Sequence, residues 1–421
     1  MRLKNVDSKI TDKNRIFALM KRFFCLLTAL SAVLCLKAQE STLRLDYSFS
    51  GTAREASIAL DEIRSLHPWA GRRYNLDKVP LKGNGQLTVR SAADSTVLYR
   101  TSFSTLFQEW QNTQEATVVR RSFENVFLVP MPQEPCEVCV ELFDTHGRTQ
   151  ASLTHRIDPA DILIRPAVGT PNAKELLISG PADKCIDVVI VAEGYTVSEM
   201  DTFWKDARRA MDSILSSEPF KSYKNRFNFR AVGLQSPQSG VSIPGKGVWK
   251  DTPLHSHFDT FYSERYLTTL SIKDLHNALA GVPYEHIIIL ANTDNYGGGG
   301  IYNSYTLTTA HHSLFRPVVV HEFGHSFAGL ADEYYYDDQY SNYYFPDCEP
   351  WEPNITTMKE FSSKWEDMLG QNGVSVIEGG GYMSKGVWRA CPDCRMKTNT
   401  APGFCPVCRR AIERMIKFYT E

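Results

Sequence analysis

The sequence predicts a multi-domain protein in which an antiparallel β-sandwich is followed by an α/β or α+β domain. Three observations lead to this fold class. Short alternating segments separated by turn residues fill the first part of the chain, whereas continuous apolar runs and helical patterns fill the second. A proline-rich segment without a sustained period lies between them. With 421 residues, the chain is long enough for two or three domains.

An export signal is expected at the amino terminus. A basic pair precedes an apolar run at residues 23–36, and Ala38 is a small residue suited to a cleavage site. The run is too short to span a bilayer. We therefore expect residues 1–38 to be a signal peptide, with Met20 as an alternative start. A lipid anchor on Cys35 is disfavoured, because the residue before it is a bulky leucine.

Charge and hydropathy limit the partners. Without residues 1–38, the counts fall from 46 to 38 basic and from 48 to 46 acidic residues, which gives a net charge near −8. This charge disfavours binding to nucleic acid or to an anionic membrane surface. Because no second long apolar run follows, the mature chain is expected to have no transmembrane segment. The oligomeric state is not indicated.

Residues 39–160 are predicted to form the sandwich. Alternation is clearest at residues 136–143, where apolar and polar side chains point to opposite faces. Cys136 and Cys139 then lie on opposite faces, which favours packing or disulfide roles over a shared metal. Three further strands are predicted at residues 86–90, 97–101 and 126–129.

Residues 161–183 are interpreted as a linker and residues 184–421 as the second domain. The apolar run 186–192 suits a strand buried on both faces. Thr196 and Glu199 have the spacing of a capping box, which predicts a helix to about residue 215. Two further strands are predicted at residues 227–234 and 287–291.

Two segments are expected to border a binding cleft. Four successive glycines at residues 297–300 lack the Lys-Ser/Thr of a phosphate loop. We interpret them as a flexible rim beside an edge strand at residues 301–309, along which an extended peptide could pair. The tyrosine-rich segment 334–344 is expected either to wall the cleft or to be a packed aromatic loop.

A helix with two histidines has the clearest chemical signal. Residues 318–327 fit a helix that ends at Gly329, since glycine readily adopts the left-handed conformation. The spacing of four places His321 and His325 on one face, one turn apart, where both imidazoles can reach one tetrahedral ion. Glu322 lies beside them, where it can hold a water molecule. This arrangement predicts a metal site.

A third protein ligand is needed, because catalytic zinc usually keeps three protein ligands and one open position. The turn at Gly329 can bring Asp332 back beneath the ion, and Glu333 is the alternative ligand. A core helix with buried polar residues is the competing interpretation, but it accounts less well for the glycine and the acid that follow. The pattern favours a Zn²⁺ site at His321, His325 and Asp332.

The same residues resemble the hallmark of the IgA peptidase family, secreted bacterial zinc metallopeptidases of the metzincin-like zincins. The motif is His321-Glu322-x-x-His325-x-x-x-Gly329-Leu330-x-Asp332-Glu333. The resemblance covers nearly the whole mature chain, including an amino-terminal sandwich domain, and implies a metzincin-like second domain. It also implies that His321, His325 and Asp332 bind zinc and that Glu322 is the catalytic base. The glycine and the third ligand come one residue later than in ordinary metzincins. A secreted, periplasmic or surface location in a bacterium is expected.

The carboxyl-terminal region adds a methionine and four cysteines. The tripeptide that ends in Met396 resembles the Met-turn of metzincins, where this side chain is a packing floor for the imidazoles; an ordinary buried methionine is the alternative. The pairs Cys391-x-x-Cys394 and Cys405-x-x-Cys408 have the spacing of a structural zinc site. In an exported chain, we expect them to form disulfides rather than a second zinc site.

These features predict a secreted zinc-dependent endopeptidase that hydrolyses peptide bonds of protein or glycoprotein substrates. Zinc would activate water, and Glu322 would be the general base. One alternative is a zinc amidase acting on a non-protein amide. Another is a metal-containing binding protein without turnover, which has no need of Glu322. The residues do not identify the natural substrate, including whether it is immunoglobulin A.

Overall fold

The computed structural model describes residues 41–336 and 343–421. The expected signal peptide, with Met20 and Cys35, lies outside these residues. Among the helices in the described ranges, none is both long and apolar enough to cross a membrane.

The amino-terminal region is a sandwich of two four-stranded sheets with the strand orders β5-β1-β2-β8 and β4-β3-β6-β7. All pairings are antiparallel except that of β8 with β2. The elements are β1 (Thr42–Gly51), β2 (Ala56–Leu66), β3 (Gly85–Ser91), β4 (Val97–Phe103), α1 (Leu106–Trp110), β5 (Arg121–Pro130), β6 (Cys136–Phe143), β7 (Thr149–Ile157) and β8 (Arg165–Pro166). The expected alternation holds in β6, where Cys136 is buried and Cys139 is partly exposed.

The second region is built on a six-stranded sheet with the order β13-β14-β12-β10-β11-β9. Its four inner strands are parallel, and both edge strands are antiparallel. The strands are β9 (Ala173–Leu177), β10 (Ile186–Glu193), β11 (Phe227–Val232), β12 (His286–Ala291), β13 (Gly298–Ile301) and β14 (Tyr305–Thr309). The helices are α2 (Met200–Leu215), α3 (Ile272–Ala278), α4 (Phe315–Ala328) and α5 (Pro406–Thr420). The predicted capping box at Thr196 and Glu199 is present ahead of α2.

Strand β10 is buried on both faces, as the apolar run predicted. Ile190 and the other even-numbered apolar residues of β10 pack with α2, α4 and α5. Val189 and Val191 belong to a cluster that continues into the sandwich core, which includes Leu45 and Leu87. Helices α2, α4 and α5 therefore cover one face of the central sheet, and α3 together with the sandwich covers the other.

Polar contacts also join the two regions. The buried guanidinium of Arg44 pairs with Asp46 at 2.7 Å and donates to the Asn277 side chain at 2.8 Å, near the end of α3. Asn303, in the turn between β13 and β14, donates to the Ser102 carbonyl of β4 at 2.8 Å. The β13–β14 hairpin is thus fixed to the sandwich.

The segment 161–183, expected to be a linker, supplies a strand to each region. β8 pairs with β2 of the sandwich, whereas β9 pairs with β11 of the central sheet. The chain therefore crosses between the two sheets after residue 166 and before residue 173. A small third sheet follows α4 and consists of β15 (Tyr335–Tyr336), β16 (Ile355–Thr356), β17 (Ile377–Gly380) and β18 (Tyr382–Arg389).

Candidate metal centre

Helix α4 has the form that the sequence predicted. It ends at Gly329, whose φ of 59° is left-handed and whose N–H bonds back to the His325 carbonyl at 2.9 Å. A Cβ at Gly329 would also lie 2.6 Å from the ring of Trp351, so a side chain has no space there. The chain can therefore reverse immediately after the helix and bring Asp332 back toward it.

The two histidines and Asp332 converge on one point. The Nε2 atoms of His321 and His325 lie 3.1 Å apart, and they are 3.1 and 3.3 Å from Oδ1 of Asp332. This oxygen is buried, and no group donates a hydrogen bond of normal geometry to it. Two imidazole nitrogens and a carboxylate oxygen thus converge within ligand distance of one point, which is the arrangement of a metal ligand set.

Neighbouring groups fix the orientation of each ligand. The Nδ1 atom of His321 lies 2.9 Å from the Arg395 carbonyl oxygen, and Nδ1 of His325 lies 2.5 Å from that of Leu330. Because a carbonyl oxygen only accepts, each Nδ1 carries a proton, which leaves Nε2 as the nitrogen that can bind a metal. The hydroxyl of Tyr382 donates to the other oxygen of Asp332.

The electrostatics favour an ionised Asp332. Burial acts to raise its pKa, but the imidazoles of His325 and His321 hold that pKa well below its usual value. Burial raises the pKa of Glu322, and the same two imidazoles oppose this shift. The site thus contains an ionised ligand, Asp332, and beside it Glu322, whose carboxyl group holds a proton more readily than that of an exposed glutamate.

Met396, the residue of the expected Met-turn, packs against the histidine helix at Gly324. Its side chain is fully buried, and a Cβ on Gly324 would be 3.0 Å from its sulfur. The Met396 carbonyl accepts a hydrogen bond from the Glu333 N–H at 2.8 Å. Met396 is therefore in contact with both α4 and residues 329–333, which we call the ligand loop.

The glycine segment is not a flexible rim. Gly298–Ile301 is strand β13 at the edge of the sheet, and the expected edge strand at 301–309 is wrong because Tyr305–Thr309 lies inside it. A Cβ at Gly298 would lie 2.7 Å from Oε1 of Glu322, and one at Gly300 would lie 2.3 Å from the Glu322 carbonyl oxygen. On the opposite face, a Cβ at Gly299 would lie 2.8 Å from the Tyr266 ring. Close packing on both faces thus requires glycine.

The outer edge of β13 is already partly paired. The Gly298 N–H donates to the Arg265 carbonyl at 3.2 Å, and a bridge joins Gly298 to Tyr266. A peptide therefore cannot add to this edge at Gly298, contrary to the simplest expectation from sequence.

The metal centre opens into a cleft of about 1490 Å³ between the two regions. Four tyrosines of the segment 334–344 line it, namely Tyr334, Tyr336, Tyr343 and Tyr344, while residues 337–342 lie outside the described ranges. The sandwich contributes Glu109 of α1, whose carboxylate accepts a hydrogen bond from the Tyr266 hydroxyl. Burial raises the pKa of Glu109 to about 7. Sequence reasoning missed Glu109 and Tyr382, since no local motif marks either one.

Glu333 does not join the histidines. Its buried carboxylate lies with the sulfurs of Cys394, Cys405 and Cys408, all within 4.8 Å of one another. The expected disulfides are wrong for this structure: in the described ranges all cysteines are free, and even Cys394 and Cys408 have their sulfurs 3.7 Å apart. Cys391 lies beside the cluster, with its sulfur 3.7 Å from the Gly373 carbonyl oxygen.

The comparisons with known proteins agree with this organisation. Residues 174–376 match a family model described as IgA Peptidase M64, and residues 37–154 match one described as Peptidase M64 N-terminus. A comparison with curated proteins found no match. The first range includes the histidine helix and Asp332, whereas Met396 and the four cysteines lie beyond it. The chain therefore belongs to the IgA peptidase M64 family, with that family's amino-terminal domain, and is a peptidase.

Proposed function

We propose that the protein is a zinc-dependent endopeptidase for protein or glycoprotein substrates, with Glu322 as general base. The observation that supports this most directly is the convergence of His321, His325 and Asp332 around a buried carboxylate oxygen without a donor. The proposal includes a metzincin-like fold and export through the signal peptide expected at residues 1–38.

The donor set fits zinc in type and in spacing. Zinc in catalytic sites is commonly bound by imidazole nitrogens and a carboxylate oxygen. Two such donors, each about 2.0–2.1 Å from a tetrahedral ion, lie about 3.3–3.4 Å apart. The observed separations among the Nε2 atoms and Oδ1 of Asp332 are 3.1–3.3 Å.

The residues around the metal centre have different roles in the proposed reaction. When bound, a zinc ion supplies a Lewis acid that acidifies water and polarises a carbonyl oxygen. Glu322 is next to the ligands and has its carboxylate held against Gly298, where it can take a proton from water and pass it to the leaving amine. Arg395 and Leu330 keep both imidazoles in the tautomer that leaves Nε2 free.

The cleft supports a polymeric substrate. Its volume of about 1490 Å³ exceeds the roughly 300–1,000 Å³ of typical small-molecule pockets. Walls from both regions border it, with Glu109 and His146 on the sandwich side and Tyr334 and Tyr382 on the other. A polypeptide segment can therefore contact both regions while one of its bonds lies at the metal centre.

Glu322→Gln tests the assignment of the general base. Because the amide keeps the shape of the side chain but cannot take the proton, we expect the rate of cleavage to fall about 10²–10⁴-fold. Zinc content should stay unchanged, since Glu322 is not a ligand. The measurements are metal analysis and digestion of a peptide library by wild type and variant.

Glu366→Gln is the matched control, because this exposed glutamate lies outside the cleft. It should cleave the library as wild type does. Equal cleavage by wild type and Glu322→Gln would reject the proposed base. Cleavage that survives in a His321→Ala, His325→Ala variant would reject the metal mechanism as a whole.

A further inference from the structure

A second cluster of potential metal ligands lies on the other side of the ligand loop. Cys394, Cys405 and Cys408 are buried, and the carboxylate of Glu333 completes a group whose ligand atoms all lie within 4.8 Å of one another. The loop thus directs Asp332 toward the histidines and the next residue, Glu333, toward the cysteines. This cluster plays no part in the proposed hydrolysis.

The spacing of the sulfurs is that of ligands to one ion. The Cys394 and Cys408 sulfurs are 3.7 Å apart, whereas a disulfide has an S–S distance of about 2.05 Å. Two sulfurs, each about 2.3 Å from a tetrahedral zinc ion, would lie about 3.8 Å apart. The observed distance therefore agrees with a metal site and not with a disulfide.

Backbone groups around the cluster favour thiolates. The Cys405 N–H donates to the Cys394 sulfur at 3.2 Å, and the Cys408 N–H points at the Cys405 sulfur at 3.5 Å. Cys405 is also the N-cap of α5, whose amino-terminal dipole end stabilises negative charge. Thiolates, rather than thiols, are the form that binds metal.

Glu333 supplies an independent observation. Its side chain is completely buried, and one oxygen accepts from Asn354 at 3.0 Å and lies 3.1 Å from the Cys408 sulfur. The other oxygen, Oε2, has no hydrogen-bond partner. A buried carboxylate oxygen without a donor is costly unless a cation lies beside it.

We propose that Cys394, Cys405, Cys408 and Glu333 bind a structural zinc ion. Three thiolates and one carboxylate are a donor set that selects zinc over magnesium or calcium. Cys391 is assigned to the surroundings of the site, because it falls outside the group of converging ligand atoms. This proposal does not depend on the proposed function.

Such an ion would stabilise the segment of residues 394–396, which packs against the histidine helix. Residue 395, directly after Cys394, accepts the Nδ1 proton of His321 through its carbonyl, and Met396 follows it against α4. The Glu333 N–H bonds to the Met396 carbonyl. One ion would thus join the Met396 segment, the ligand loop and the start of α5 at a single point.

The test counts zinc in the purified full chain after exhaustive dialysis against metal-free buffer. The His321→Ala, His325→Ala variant lacks the histidine ligands and should still retain one zinc ion per chain. Adding Cys394→Ser and Cys408→Ser to it should remove that ion. An unchanged zinc content after adding the cysteine substitutions, or none in the histidine variant, would overturn the proposal. Because the comparison is made without the histidine site, failure of the proposed function would not alter it.

A spectroscopic measurement avoids dependence on the folding of the cysteine variants. Replacing zinc by Co²⁺ in the histidine variant should produce thiolate-to-cobalt charge-transfer absorption, because among the described residues the cysteine cluster is the group of converging ligand atoms that contains sulfur. Its absence would overturn the proposal. An intact mass lower by two hydrogens for each disulfide bond, with a bond mapped to Cys394, Cys405 or Cys408, would also overturn the proposal.

Two matched variants test the fourth ligand. Glu333→Gln should lose zinc to a competing chelator far sooner than wild type, whereas Cys391→Ser should hold it as wild type does. Faster zinc loss from Cys391→Ser than from Glu333→Gln would overturn the assignment of Glu333 and make Cys391 the fourth ligand.

Discussion

Gly300→Ala should show how tightly β13 is packed against the catalytic helix. The added methyl carbon would lie 2.3 Å from the Glu322 carbonyl oxygen and 2.8 Å from Cβ of His325. Carbon–oxygen contacts are normally no shorter than about 3.3 Å, so the strand and the helix must separate by about 1 Å. Both contacts involve the rigid part of α4, so no side-chain rotation can relieve them.

We expect this separation to lower the free energy of unfolding by about 1–3 kcal/mol, the usual cost of overpacking. A shift of 1 Å beside two ligands should also reduce the rate of cleavage by about 10²-fold. Denaturant unfolding measures the first effect, and peptide digestion at saturating zinc measures the second.

Gly403→Ala is the control, because its Cβ would meet only the end of the Arg409 side chain, at 3.8 Å. It should unfold and cleave as wild type does, apart from the small effect of replacing any glycine. If Gly300→Ala matched this control in stability and rate, the close packing of β13 on the helix would be refuted.

Three further predictions concern single side chains. Gly298→Ala would place a methyl group 2.7 Å from Oε1 and 2.9 Å from Cγ of Glu322, so this side chain must turn away; we expect lower activity with a smaller loss of stability than in Gly300→Ala, and an unchanged rate would contradict the role of this contact. Tyr382→Phe removes the donor to Asp332 and should weaken zinc binding about 10–100-fold in a chelator competition, so equal affinities would count against it. His286→Phe tests acid stability, since burial lowers the pKa of His286 from 6.5 to about 3. Below pH 6.5 the unfolded chain takes up this proton and the folded chain does not, so stability falls from pH 6.5 toward pH 3. The wild type should lose about 2 kcal/mol more than the variant between pH 7.5 and pH 5, measured by denaturant unfolding, and parallel losses would exclude this cause.

The histidine helix could be predicted from sequence because its features are local. A four-residue spacing, a glycine stop and an acid three residues later place His321, His325 and Asp332 near one another with little help from the rest of the chain. Strand β10 could be predicted in the same way, since a short continuous run of apolar residues is typical of a strand that is buried on both faces. Local patterns therefore identified the part of the site that lies within one helix and one turn.

The remaining parts of the site depend on contacts between distant segments. Tyr382 reaches Asp332 from fifty residues away, and Glu109 enters the cleft from the other region. The glycines of β13 could be explained only after Glu322 and Tyr266 were known to press on opposite faces. For the carboxyl-terminal cysteines, sequence spacing allowed both disulfides and a metal, and the distances between sulfurs favour a metal for Cys394, Cys405 and Cys408.

Strand β10 contributes to two hydrophobic cores, and this affects how the protein unfolds. Val189 and Val191 share one apolar interior with α3 and the sandwich, so α3 and the sandwich together cover the face of the parallel sheet that a second layer of helices normally covers. Neither region can leave the other without exposing this interior to water. Heating should therefore melt both in one calorimetric peak, and a chain severed near residue 170 should precipitate rather than yield two soluble halves.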